Sequence, residues 1–230
     1  MLNGFKSPQR IALVGGSSEI GAEIVRHLPA DNLQEIVVLN RATTGFDARN
    51  AQNRRDGVAE LFANGDIDIA VIAIGVLGDS LAMSAEENLL DVTDVNYTGT
   101  LHLIHLISEK MKVQGHGKIL VISSFAQVRP RIDNFTYGSS KAGLDFYARG
   151  LAASLKGTGV SISVLRPGFV HTRMTKGMKV APFSITAEVA GEAGANLLKG
   201  GSRIAFVPGI LKYVAWVFRL IPAFIFNKLG

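Results

Sequence analysis

Short unbroken apolar runs alternate along this chain with stretches whose apolar residues recur every three or four positions. Arg10-Ile-Ala-Leu-Val14 reads as a buried strand that flows into Gly15-Gly-Ser-Ser-Glu-Ile-Gly21. Beyond the glycines, Ile20, Ile24, Val25 and Leu28 fall on one side of a helix that stops before Pro29. Glu35-Ile-Val-Val-Leu-Asn-Arg41 predicts the second strand, and the polar run from Ala42 to Asp56 leads to a short helix near 57–64. Asp68-Ile-Ala-Val-Ile-Ala-Ile-Gly75 is continuously apolar, as a parallel strand covered on both faces requires. A long helix is expected over about 86–113, a strand over 118–123, and a helix carrying Tyr137 and Lys141 that runs to about 156. Val160-Ser-Ile-Ser-Val-Leu165, ending at Arg166-Pro-Gly168, then a helix over about 186–198 and the strand Ile204-Ala-Phe-Val207, complete the alternation. Strand–helix alternation from end to end predicts an α/β fold, one domain over residues 1–208 with a doubly wound parallel sheet. No linker, repeat or low-complexity segment interrupts it.

Residues 209–230 form an apolar helical tail, either part of the same domain or a membrane-surface helix. Tyr213, Val217, Leu220, Ile221 and Phe224 share one face, with Lys212 and Arg219 at one edge and Trp216 beside them. That make-up suits an interfacial helix, and it also suits an oligomer contact or core packing. Arg219 and Pro222 argue against a membrane span.

Composition narrows the classes. At 230 residues, 47% hydrophobic and 19% charged, the chain is long enough for a sizeable core. A net charge of +5 favours acidic partners, such as phosphates or an anionic membrane surface, yet no nucleic-acid motif accompanies it. The absence of cysteine excludes disulfides and thiolate chemistry. Met1 to Arg10 lacks the charged-then-apolar order of a signal peptide, so a cytoplasmic location is expected, peripheral on the membrane if the tail binds it. No cluster has metal-ligand spacing, so no metal is expected. His102 and His105 read as core or interface residues, and nothing assigns His171 a role.

Two stretches carry candidate chemistry. In a strand–turn–helix unit, Gly15, Ser17, Ser18, Ile20 and Gly21 would bring backbone N–H groups up to a pyrophosphate. Tyr137 and Lys141, four apart on a helix, project from one face, and an ammonium beside a phenol favours the phenolate. Ser124, at the end of its strand, would hydrogen-bond the same substrate oxygen. Alone the Tyr–Lys pair says little, since chance supplies roughly 0.2 such pairs in a chain of this composition. Where an acidic residue would hold a ribose 2′-hydroxyl stand Asn40 and Arg41, with Asp47 in the run that follows. Arg41 either meets a 2′-phosphate, which leans the cofactor to NADP(H) over NAD(H), or is solvated surface charge.

Taken together, Gly15-x3-Glu-x-Gly21, Asn96, Ser124, Tyr137, Lys141 and Pro167-Gly168 resemble the short-chain dehydrogenase/reductases over residues 10–208. The resemblance implies a Rossmann fold and reversible hydride transfer between NAD(P)(H) and a carbonyl/alcohol pair. By it, Ser124 positions the carbonyl, Tyr137 gives or takes the proton, and Lys141 holds the ribose hydroxyls and lowers the phenol pKa. Asn96 would hold a water that connects Lys141 to solvent. Ala73, Gly75, Pro167, Gly168, Val170 and Thr172 join the cofactor contacts. Three places depart from the pattern: Val14 replaces a Thr, Glu19 a Gly, and Ile72-Ala73-Ile74-Gly75 an Asn-Asn-Ala-Gly run. Glu19 should repel a phosphate unless its carboxylate turns outward or meets a cation.

A narrower resemblance adds Ala73-Ile-Gly-Val-Leu-Gly-Asp79, Asn96-Tyr-Thr, Arg129 through Asp145, Arg166 through Met174, and Lys212 through Leu229. These are similar to the decaprenylphosphoryl-2-keto-ribose 2-reductases, which share Glu19. The implied substrate is the 2-keto pentofuranose of a polyprenyl phosphate, a precursor of cell-wall arabinan, with an FAD-dependent oxidase as a partner that makes the ketone. That subgroup's reaction is written with NAD(H), and its run corresponding to 40–66 is longer, so a trimmed adenosine side is implied here. Arg129, Arg131 and Arg173 flank the site and would suit the phosphate of such a lipid, or are ordinary surface charge. Another bulky or lipidic ketone, and a non-catalytic cofactor-binding partner of a flavoenzyme, are the alternatives. A homo-oligomer is expected.

Overall fold

The computed structural model describes residues 8–78 and 85–226. Asp79, the N-terminal segment before Pro8, and Asn227 to Leu229 of the tail motif lie outside the described residues. Strand β1 (Arg10–Val14) is followed by α1 (Glu19–Arg26), β2 (Glu35–Leu39), α2 (Arg41–Thr44), α3 (Ala51–Leu61) and β3 (Ile69–Ile72). Then come α4 (Glu86–Thr93), α5 (Thr100–Gln114), β4 (Gly117–Ile122), α6 (Phe135–Ser154) and β5 (Val160–Pro167). The short strands β6 (Val170–His171) and β7 (Ile185–Thr186) pair with each other, and α7 (Ala187–Leu197) leads into β8 (Ile204–Val207). Six strands form one parallel sheet in the order β2-β1-β3-β4-β5-β8.

Alternate residues of each strand serve opposite layers, which is why these strands read as solid apolar runs. Ala12 and Val14 point into a core with Leu61, Ile104, Ile107 and Leu144, under α3, α5 and α6. Ile11 and Leu13 point into the other core, with Ile24, Ala190 and Leu198, under α1 and α7.

Three boundaries differ from expectation. Helix α3 starts at Ala51, not near 57, because Asn50 caps it, its Oδ1 accepting from the N–H groups of Gln52 (2.8 Å) and Asn53 (3.0 Å). The expected helix over 86–113 is two helices joined by a π-helical turn, Asp94–Gly99. Strand β3 ends at Ile72, and Ala73, Ile74 and Gly75 leave the sheet to line a cleft. No strand lies beyond β2 among the described residues; the segment 40–66 supplies α2 and α3 instead.

The described part of the tail contains α8 (Leu211–Leu220) and α9 (Ala223–Phe226). Leu211 and Ala215 are buried, and the Phe218 ring meets Phe125 and Phe226 edge-on at 5.7 and 5.3 Å. The Arg129 guanidinium donates to the carbonyls of Phe218 and Ile221 and lies 4.3 Å from the Phe226 ring centroid. A cation thus satisfies the open carbonyls at the end of α8, where the helix dipole favours it. Ile221 has turned off the outer stripe expected for it. Among the described residues no helix is long and apolar enough to cross a membrane.

Candidate active site

Strand order reverses between β1 and β3, so a crevice opens at their C-terminal ends. Gly15 makes the first turn at φ +93°, where a Cβ would stand 2.7 Å from the backbone carbon of Ala73. At Gly16 a Cβ would collide with Val38 Cγ1 at 2.2 Å, so the turn hugs β2. Ser18 caps α1, its Oγ accepting from Gly21 N–H at 3.1 Å. The resulting cavity of about 440 Å³ is lined by Gly15, Ser17, Ser18 and Ile20 on the turn, and by Asn40, Arg41 and Asp47 at one end. Ala73, Gly75 and Thr172 line it elsewhere, so these ten predicted cofactor residues converge on one cleft. Gly21 is buried behind the turn, against Ala73 and Leu13. Pro167, Gly168, Val170, Tyr137 and Lys141 stand outside the cavity lining.

Sequence reasoning did not place Arg49, Ile74, Val76, Arg173 and Met174 in the lining. Arg173 resolves the problem posed by Glu19. Its backbone N–H donates to Glu19 Oε2 at 2.7 Å, its Nε stands 3.6 Å from the same oxygen, and its Nη2 donates to Ser17 O at 2.6 Å. The carboxylate beside the phosphate cradle has met a cation, and the segment after β6 is clasped to the Gly-rich turn. A glycine-lined turn, a helix N-terminus and a neutralised Glu19 fit a pyrophosphate. Its adenosine end would rest between Asn40, whose side chain caps α2, and the group Arg41, Asp47 and Arg49. Arg41 is 67% exposed and stands 3.7 Å from Asp47. Burial of Asp47 is outweighed by hydrogen bonds from the Arg49 N–H and guanidinium, which hold its carboxyl below the usual range.

Beyond the cleft, Ser124 follows β4 and caps a 3-10 turn (Phe125–Val128), its Oγ accepting from Ala126 N–H at 3.1 Å. The Ser124 hydroxyl is also near enough to the Tyr137 phenol to pull its pKa down. Lys141 is buried one helical turn on, and its Nζ donates to Ile122 O at 3.1 Å and Ile74 O at 3.5 Å. Burial pulls the Lys141 ammonium down from 10.5 to about 8. Burial likewise pushes the Tyr137 phenol up, with Ser124 opposing. At the phenol, burial is the largest influence, larger than any from Lys141. Its ammonium is aimed at strand-end carbonyls and sits 5.9 Å from the Tyr137 ring centroid, so desolvation decides. In this arrangement Tyr137 holds its proton at neutral pH, ready to donate it to a developing alkoxide.

Asn96 stands in the π-helical turn. Fully buried in the π turn, it accepts from Val76 N–H at 2.7 Å and donates to Val76 O at 2.7 Å and Ser140 Oγ at 3.2 Å. Its side chain is committed to protein partners that clamp the loop after β3 to α6, one residue before Lys141. Farther down α6, Asp145 is fully buried and takes both Nε (2.8 Å) and Nη2 (2.7 Å) of Arg166. That fork fixes the catalytic helix to β5. His102 accepts from Arg54 Nε at 2.9 Å, and burial with the nearby Arg54 charge keeps its imidazole neutral, so it is structural. His171 meets Ser184 Oγ at 3.1 Å. Among the described residues no group of three or more His, Asp or Glu could hold a metal.

The chain is similar to known proteins in sequence and in fold. An uncharacterized oxidoreductase of Mycobacterium tuberculosis is 36% identical, the match covering 95% of this chain and 96% of that one. A gluconate 5-dehydrogenase from Burkholderia cenocepacia, solved with NADP and tartrate, superposes with a TM-score of 0.77 over 89% of this chain and 95% of its own, at 23% identity. A 3-oxoacyl-[acyl-carrier protein] reductase from Brucella melitensis, solved with NAD, gives 0.76 over 89% and 98%, at 26% identity. Residues 42–181, more than half of the chain, match the short chain dehydrogenase family. With a dinucleotide cleft at the β1/β3 switch point and Ser124, Tyr137 and Lys141 beside it, this chain belongs to the short-chain dehydrogenase family of NAD(P)-binding oxidoreductases.

Proposed function

We propose that the protein reduces a keto group on a bulky, lipid-linked substrate, the 2-keto pentofuranose of a polyprenyl phosphate. The observation that carries this reading is the buried, protonated Tyr137 phenol with Ser124 beside it, set to deliver a proton to a carbonyl oxygen. The nicotinamide cofactor, when bound, supplies the hydride. Ser124 orients the carbonyl, and Lys141, held by Ile74 and Ile122, contributes a nearby positive charge as the alkoxide forms.

Two features favour a large amphiphilic substrate. Met174, which lines the cleft, and Met178, Val180 and Phe183, farther along the segment after β6, are each 43–54% exposed. Arg131 supports phosphate recognition. Of the three arginines expected to flank the site, Arg129 is spent on α8 and Arg173 on the Gly-rich turn. The Arg131 guanidinium has no hydrogen-bond or ion-pair partner within reach among the described residues, and burial lowers its pKa against the pull of Asp133. A half-buried guanidinium of that kind suits a phosphate fork. For the cofactor we favour NADP(H), with exposed Arg41 as the group that meets a 2′-phosphate and NAD(H) as the alternative.

The test is NADPH-dependent reduction of a polyprenylphosphoryl 2-keto pentofuranose, compared with short water-soluble ketones and with NADH. The expected result is turnover of the lipid-linked ketone at a kcat/KM well above the simple ketones. Tyr137→Phe should lower it by at least about a hundredfold while cofactor affinity holds. Equal turnover of both substrate classes would overturn the substrate reading, and an active Tyr137→Phe would overturn the acid role.

A further inference from the structure

The outer face of α8 has no protein partner among the described residues. Tyr213, Trp216, Val217, Leu220 and Phe224 are 47–70% exposed. At 100° per residue, Trp216, Leu220, Tyr213 and Val217 form one continuous stripe, and Lys212 and Arg219 line a single edge of it. Leu211 and Ala215 hold the opposite side of the helix to the domain. Both cations are exposed, and neither makes an ion pair among the described residues.

The charge distribution identifies what would cover this face. Residues 1–192 contain nineteen Lys and Arg and nineteen Asp and Glu, whereas residues 193–230 contain five Lys and Arg and no acid. The whole net charge of +5 therefore belongs to the end of the chain that carries the exposed stripe. A second copy of the same face would bring Lys212 and Arg219 against like charges. An anionic lipid surface would meet them with opposite charge and accept the aromatic and aliphatic side chains at its headgroup boundary.

We infer that α8 is a monotopic docking helix for anionic bilayers. Tyr213, Trp216, Val217, Leu220 and Phe224 enter the interface, while Lys212 and Arg219 sit among the headgroups. Because Arg129 ties the end of α8 to the loop that follows Ser124, docking brings the reaction site to the lipid surface. The inference goes beyond the proposed substrate, and it is read by binding alone, without turnover.

The test uses the full chain and large vesicles of phosphatidylcholine, with or without about one third phosphatidylglycerol. Trp216 is the only tryptophan, so its emission reports on the face directly. Co-sedimentation with the anionic vesicles and a blue shift of Trp216 emission are expected, both weakened by salt. Each cation near such a surface contributes about fivefold in partitioning, so Lys212→Glu with Arg219→Glu should lower binding by at least about 25-fold. Leu220→Asp, at a position 62% exposed, should weaken binding without disturbing the fold, as checked by cofactor affinity. No binding to anionic vesicles would overturn the inference. So would a blue shift without lipid that tracks a concentration-dependent dimer and disappears in Leu220→Asp, because the face would then belong to a second copy.

Discussion

Replacing Lys141 by Met should abolish turnover and at the same time make the folded protein more stable near neutral pH. The ammonium is buried, and burial draws its pKa from 10.5 to about 8. At about 1.36 kcal/mol for each pH unit, carrying that charge into the fold costs roughly 3 kcal/mol wherever it stays protonated. A methionine of similar length removes that cost, but it leaves the Ile122 carbonyl without its 3.1 Å donor. An orphaned buried carbonyl costs about 1–3 kcal/mol, so a net gain of about 1 kcal/mol is expected at neutral pH. The sign then changes with pH. Between about 8 and 10.5 the unfolded chain holds the lysine proton and the folded chain has lost it, so wild-type stability rises through that window. The variant has no such proton, and above the window it should be the less stable of the two. Urea unfolding of both proteins without cofactor, near pH 7 and above pH 10, measures the difference, and titrations common to both cancel in it. A difference that is the same at both pH values would refute the argument that desolvation dominates at Lys141.

Other perturbations probe separate parts of the structure. Asp145→Ala leaves the buried Arg166 without its fork and should cost about 3–5 kcal/mol by denaturant unfolding, whereas Asp145→Leu with Arg166→Leu together should cost clearly less. Arg173→Ala exposes the Glu19 carboxylate to the phosphate cradle and should weaken cofactor binding by up to about fivefold, the scale of an exposed ion pair. Adding Glu19→Gln should restore affinity; titration of cofactor fluorescence reads both, and a double variant as weak as the single would remove Glu19 from the account.

Much of the sheet was legible because β1, β3 and β4 are buried on both faces and read as mainly apolar runs, while β5 alternates Ser with Val and Ile. The start of α3 was hidden because its first turn shows Gln52, Asn53 and Arg55 largely to solvent, and only the Asn50 cap marks it. Similarly, Ser124, Tyr137 and Lys141 stand out as candidates because their spacing is local or family-like. The duties of the three arginines were not visible, since Arg129 binds a carbonyl 89 positions away and Arg173 one 156 positions away. The surroundings of Tyr137 were hidden for a related reason. Spacing places Lys141 beside it, but which acceptors the ammonium faces is decided by the ends of β3 and β4.

With β2 as the last strand of the sheet, the adenosine side of the cleft is built from a segment of about ten residues that carries little structural duty. Phe46 and Ala48 anchor it in the core, while Arg41 projects outward and pairs only loosely with Asp47. Exchanges at such surface positions usually change stability by less than about 0.5 kcal/mol. Cofactor preference in this lineage is therefore free to drift or to be selected without first acquiring compensating core mutations. On the proposed role of Arg41, a reader of the 2′-position could be gained or lost by a single exchange without disturbing the packing around Tyr137.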